Sequence, residues 1–320
     1  MWTVFLLVAG LSVGDPLNMQ TEPDLIFVGD IMLARDVERN MDTSGNDYPY
    51  EYVMSLLKGS IVVGNFEGSM PVVHRPTPDF NMRFSVTTEK SETLINNGFT
   101  HMSQANNHAL DYGQDGYDNA ALTLGESGLV TFGHPQNVST TSVEYVTFGT
   151  TTAALIGLST VAGYPQDSEW LSIVEYLDNS TDIQIVYIHW GSEYALIHNV
   201  TQEEFAHKLI DAGVDIIVGH HPHVVQDVER YDDGLIFYSL GNFVFDQYFS
   251  PDVQQGLVLH FRLLDDGFQI KLLPISSELS HAQPRPQLGA KRSSFLKSLA
   301  DRSEFELQDE IVSGQLFYKF

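Results

Sequence analysis

Short apolar runs recur along the chain, and each gives way at once to turn-forming or polar residues. Leu25–Val28 leads into Gly29 and Asp30, Ile61–Val63 into Gly64 and Asn65, and Phe99–Ala105 into Asn106, Asn107 and His108. Ala153–Leu158, Ile183–Ile188 and Asp215–Val218 complete the set. Continuous β-rich runs of this kind are the pattern of strands buried on both faces. Helix-like segments lie between them. Ser91–Gly98 ends on glycine, as a helix C-terminus does. Thr201-Gln-Glu-Glu204 reads as a capping box, after which Phe205, Leu209 and Ile210 share one face up to Gly213. Strand alternating with helix predicts a layered α/β core. Later the pattern changes: Gly234–Leu240, Gly256–Leu264 and Gly267–Leu273 read as antiparallel strands, with Asp265-Asp266-Gly267 as a hairpin turn. The organisation expected is one domain over residues 24–275, a link containing Pro284 and Pro286, and a polar, weakly helical tail over 281–320.

Residues 2–14 carry no charge. The stretch is shorter than the ~20 apolar residues a membrane span needs. It matches the apolar region of a secretory leader, with small Ser12 and Gly14 placed for a cut before Asp15. The expectation is therefore an exported or envelope-associated protein, with the leader as a route to membrane association. A buried first strand or a truncated leader is the rival reading, with a cytoplasmic location as its consequence.

With 43% apolar and 18% charged residues, the 320-residue chain has material for a large core. Its 42 acidic side chains face only 16 basic ones, a net charge of −26. Such a surface repels a phosphate backbone, which argues against nucleic acid as a partner. The absence of cysteine excludes disulfides, thiolate metal sites and cysteine nucleophiles.

What remains for chemistry falls at the strand ends. Asp30, Asn65 with Glu67, Asn107 with His108, His189, and the triplet His220, His221 and His223 each follow an apolar run. In α/β sheets ligands gather at the carboxyl ends of strands, so these groups are expected to converge on one crevice. Carboxylate, amide and imidazole donors without sulfur suit one or two divalent ions such as Zn, Mn or Fe. In an extended segment alternate side chains share a face, which puts His221 and His223 together across Pro222 and leaves His220 outside. A two-metal site clamps the attacking and leaving oxygens of a displacement at phosphorus, and His108 is suited to protonate a leaving group. Asn242, after Gly241, is expected behind the ligands. Arg35 and Arg83, scarce cations here, either meet an anionic substrate or pair with acids.

These residues sit in six ordered blocks: Val28-Gly-Asp-Ile-Met-Leu-Ala-Arg35, Gly64-Asn-Phe-Glu67, Ala105-Asn-Asn-His-Ala-Leu-Asp-Tyr-Gly113, His189-Trp-Gly-Ser-Glu-Tyr194, Gly219-His-His-Pro-His-Val-Val-Gln226 and Tyr238-Ser-Leu-Gly-Asn-Phe243. Over residues 24 to 246 the chain resembles the bacterial capsule-synthesis CapA family of poly-γ-glutamate biosynthesis proteins, related to the calcineurin-like metallophosphoesterases. The resemblance implies a four-layer α/β/β/α sandwich with a metal site at the strand ends. It implies Asp30, Asn107, His189, His221 and His223 as ligands and His108 as general acid. Glu67 stands as a further ligand where the phosphoesterases use a bridging Asp. Asn65, Arg35, Glu193 and Asn242 are assigned to support the ligands or the substrate. Where the phosphoesterase first block reads Asp-x-His, this chain has Met32.

Three functions compete. The first is an exported, metal-dependent hydrolase-like protein that makes or processes an anionic envelope polymer such as poly-γ-glutamate. The second is a non-catalytic accessory protein that binds the polymer or its synthase complex; Met32 and the acidic surface lean that way. The third is a soluble nucleotide phosphodiesterase, which needs phosphate-binding cations beside the metals.

Overall fold

The polar residues that end each apolar run mark where strands stop and loops begin. A computed structural model describes residues 24–161, 163–178 and 180–320; the expected leader over residues 1–14 lies outside them. The chain runs through β1 (Leu25–Ile31), α1 (Arg35–Ser44), α2 (Met54–Leu57), β2 (Ile61–Phe66), α3 (Thr88–Asn96), β3 (His101–Ser103), α4 (Gly113–Glu126) and β4 (Val130–Phe132). It continues through β5 (Val143–Phe148), β6 (Thr151–Ser159), α5 (Asp167–Leu177), β7 (Ile183–His189), α6 (Val200–Asp211), β8 (Ile216–His220), β9 (Val228–Tyr231), β10 (Gly234–Phe237) and β11 (Asn242–Val244). It closes with β12 (Gln255–Leu264), β13 (Gly267–Ser276), β14 (Arg285–Pro286), α7 (Gly289–Arg302), α8 (Gln308–Ser313) and β15 (Gln315–Lys319).

Two sheets result. One has the order β14-β13-β12-β1-β2-β3-β4, with β11 on β1 and β15 on β13; the other runs β5-β6-β7-β8-β10-β9. The apolar faces of both meet in one core, where Phe27 and Val63 of the first sheet lie with Leu155, Ile185 and Val218 of the second. Outside the first sheet, Ile26 and Val62 pack with Val37 of α1, Leu94 of α3 and Leu124 of α4. Outside the second, Ile156 and Ile217 pack with Val174 of α5 and Phe205 of α6. The molecule is therefore the expected α/β/β/α sandwich, its strands buried on both faces. Full burial of each such side chain contributes ~1.5–3 kcal/mol.

One hydrogen bond ties the two sheets together beneath the strand ends, and one close approach joins strands within the first sheet. The Tyr187 hydroxyl on β7 donates to the Val28 carbonyl on β1 at 2.6 Å. Gly29 lets the segment entering β11 come close: a Cβ there would lie 1.8 Å from the Gly241 carbonyl oxygen, so only glycine fits.

Several local expectations change. α6 is capped by Asn199, whose side chain accepts from the N–H groups of Thr201 and Gln202, so it starts before the Thr201–Glu204 box. The hairpin at Asp265-Asp266 forms as expected between β12 and β13. β10 is not purely antiparallel: it runs parallel to β8 and antiparallel to β9. Residues 281–320 do more than their polar composition suggests. Phe295, Leu296 and Leu299 of α7 and Leu316 of β15 enter the core between the sheets.

Candidate metal centre

β1, β2 and β3 of one sheet and β7 and β8 of the other all deliver their carboxyl ends to one crevice. Asp30 is the penultimate residue of β1 and is fully buried. Its Oδ1 accepts from Asn65 Nδ2 at 2.8 Å and lies 3.4 Å from His220 Nδ1. Its Oδ2 accepts the backbone N–H of His221 at 3.1 Å and lies 3.2 Å from His223 Nδ1. One carboxylate thus faces two sets of histidines. On the first side His189 Nδ1 and His220 Nδ1 are 2.8 Å apart. On the second side stand Glu67 and His223, with His223 Nε2 3.9 Å from Glu67 Oε1. Two His/Asp/Glu groups with the reach to hold an ion share Asp30: one with His189 and His220, one with Glu67 and His223. A third joins His221 and His223 to the exposed Glu193.

The orphaned atoms fit a cation. Glu67 Oε1, His220 Nε2 and His221 Nδ1 are buried without a hydrogen-bond partner, a state proteins otherwise avoid. Asn107 Oδ1 lies 2.7 Å from His189 Nε2. Taken as the acceptor, it places the proton on Nε2 and turns the Nδ1 lone pair toward Asp30 and His220. Asn242 Oδ1 likewise holds His223 Nδ1 at 3.0 Å. Asn65 is fixed from behind by Asn106, whose Nδ2 donates to its Oδ1 at 3.0 Å.

The electrostatics are those of a polar pocket in a dry core. Burial pushes the Asp30 carboxyl up, but hydrogen bonds and charge from His220 and His223 outweigh it and hold the group well below the usual carboxylate range. Burial, reinforced by Asp30, pushes Glu67 well above it. Burial drives His189 and His220 down and, with His223 alongside, takes His221 to about 3. His223 goes the other way: burial opposes its charge, yet Glu67 and Asp30 raise it to about 9.

The backbone is strained here. Six non-glycine residues among those described have left-handed φ, and four of them (Arg35, Tyr194, His221 and His223) border the crevice. Such residues persist where surrounding contacts over-determine them. Here, with φ 97° at His221 and 58° at His223, the segment is not extended. His221 and His223 still meet, ring centroids 5.7 Å apart, but through a turn rather than strand alternation. His220 is not excluded: its ring sits against Asp30 and His189.

His108 lies at the rim of the second side, with Nε2 3.7 Å from Glu67 Oε1. Its Nδ1 donates to Asp111 Oδ2 at 2.9 Å, and its ring stacks on Phe84 at 4.0 Å. The sequence reading missed Asp111, although it sits one helical turn past His108 in the same block. Arg35 is paired with Asp246 beside the crevice. Arg83 is exposed and donates to the Asp111 carbonyl.

The fold and site are those of a four-layer α/β sandwich whose His, Asp and Glu side chains converge at the strand ends in groups with the reach to hold a cation. The model of the bacterial capsule synthesis protein PGA_cap family matches residues 24–247. The chain belongs to that family, the CapA-like proteins of capsule and poly-glutamate biosynthesis. It is 32% identical over 301 residues to the "PGA biosynthesis protein CapA" of Bacillus subtilis, covering 87% of this chain and 78% of that protein. It is 30% identical over 173 residues to a "Probable polyglutamine synthesis accessory protein" of Mycobacterium tuberculosis, covering 44% of each. Among solved structures it is similar to a novel phosphatase from Mycoplasma pneumoniae, with 15% identity and a TM-score of 0.46 over 84% of this chain and 94% of that one. At that score the likeness carries no argument about chemistry.

Proposed function

We propose that this chain is a metal-dependent hydrolase of capsule or poly-γ-glutamate biosynthesis, acting outside the membrane on an envelope polymer or a precursor of it. The observation that carries the reading is the divided Asp30 carboxylate, with a histidine group on each oxygen and the orphaned Glu67, His220 and His221 atoms around it. Asp30, His189 and His220 would hold one divalent ion, and Asp30, Glu67, His223 and His221 a second. When bound, such ions would supply a lowered pKa for water and polarisation of the bond to be cleaved, at phosphorus or at a carbonyl carbon. The protein's own contribution is orientation. Asn107 fixes the proton of His189 on Nε2, and Asn242 fixes Nδ1 of His223. Asp111 holds the proton on His108 Nδ1, so Nε2 faces the crevice and, when protonated, delivers its proton to a leaving group.

The test is hydrolysis of an aryl phosphodiester and of γ-glutamyl amides with Mn, Zn or Fe. His108→Ala is expected to lower turnover ~10²-fold or more with metal content unchanged. A second reading, a non-catalytic accessory role at a synthase complex, is favoured by Met32 at the place of the phosphoesterase histidine. No turnover with any metal would support it.

A further inference from the structure

A cleft of ≈ 530 Å³ opens beside the second side of the centre, with Arg35, Met82, Tyr194, Asp246 and Phe249 in its wall. Tyr194 joins the two, its ring 6.2 Å from that of His223. Arg35 is unusual in three ways. It starts α1 with φ 53°, a left-handed conformation that a long side chain rarely adopts. Its side chain is only 8% exposed although it carries a permanent charge. Its guanidinium is under-used: Nη2 bonds Asp246, Nη1 meets only the Met82 sulfur at 3.5 Å, and buried Nε has no partner. The group lies over Phe84 and Phe245, 4.7 and 5.8 Å from their centroids. Those rings in turn face His108 and His223, at 4.0 and 4.7 Å. The other arginine in the cleft, Arg39, is half exposed and bonded to both Asp36 and Asp79.

We infer that Arg35 is an oxyanion-binding residue, receiving a single carboxylate or phosphate of the substrate at the crevice and releasing Met82 and part of Asp246 to do so. Guanidinium is the donor suited to such a group, since it stays charged and presents several N–H bonds in one plane. Asp36, Asp79 and Asp246 line the cleft, so it admits one anionic group and repels a second. The inference rests on the hydrolytic reading for its meaning, but binding at Arg35 does not need the metals.

The test uses the full chain stripped of metal on a chelating resin, titrated calorimetrically with inorganic phosphate and, separately, with butyrate, a monocarboxylate. Wild type is expected to bind at least one of them, and the tighter of the two names the substrate group. Arg35→Gln should weaken that binding ~10-fold or more, the loss of a charge-assisted hydrogen bond. Asp246→Asn, which frees the guanidinium, should tighten it, a gain that a purely structural role does not produce and that survives any folding defect of Arg35→Gln. Arg39→Gln should stay within about twofold of wild type. No binding of either anion, equal binding in Arg35→Gln, or no tightening in Asp246→Asn overturns the inference. Metal content, measured separately, shows whether the centre itself stands.

Discussion

His223 offers a quantitative test of the centre's electrostatics. In the metal-free protein Glu67 and Asp30 raise it from 6.5 to about 9. At 1.36 kcal/mol per pH unit, that shift stores ~3 kcal/mol of stability in the fully buried charged ring. A raised folded-state pKa fixes the sign: the contribution is fully present below the unfolded value near 6.5 and drains away as pH rises through about 9. Urea unfolding of the metal-free wild type should therefore lose ~3 kcal/mol between pH 6 and pH 10 that His223→Gln, having no such proton, does not lose. Comparing the two slopes removes His198, which Asp227 raises in the same direction. The linkage has a second face. An ion binding through His223 Nε2 must displace its proton, so adding Mn at pH 7.5 should release at least about one proton per chain in wild type and fewer in the variant. Parallel stability slopes in the two proteins would refute the reasoning.

Tyr187→Phe removes the hydroxyl that reaches across to Val28 and should destabilise by ~1–2 kcal/mol in urea unfolding with little change in the far-ultraviolet spectrum. Gly29→Ala drives a methyl into the Gly241 carbonyl and should cost more than ~3 kcal/mol or abolish soluble expression. Asp111→Asn loses the carboxylate acceptor of His108 but leaves the residues around Asp30 untouched. It should lower turnover ~10-fold or more at unchanged metal content, and the comparison of both quantities checks it.

The convergence of polar residues on the crevice was legible because the apolar runs end where the strands end. Asp30, Asn65, Glu67, His108 and His189 were placed by that rule alone, with no contact known between the sheets. His220 was lost because the rule assumes an extended chain. Once His221 and His223 adopt left-handed φ, alternation no longer says which ring points inward, and no local pattern in Gly219-His-His-Pro-His foretells those angles. Asp111 was overlooked because its partner relation is a turn, not a strand end. β10 failed for a different reason: an apolar run carries no sign of strand direction, and its parallel pairing with β8 depends on the path between them. The tail shows the weakness of composition. Phe295, Leu296, Leu299 and Ala300 form a helical stripe in the sequence, but the polar residues around them dilute the average until the core they enter is known.

The central claim is that two side-chain groups sharing Asp30 hold divalent ions. Elemental analysis of the protein after reconstitution with Mn, Zn and Fe, wild type beside the His221→Ala, His223→Ala double variant, tests it most directly. The account expects about two ions per chain in wild type and about one in the variant, held by Asp30, His189 and His220. A wild-type protein that retains no metal under any of these conditions would contradict it.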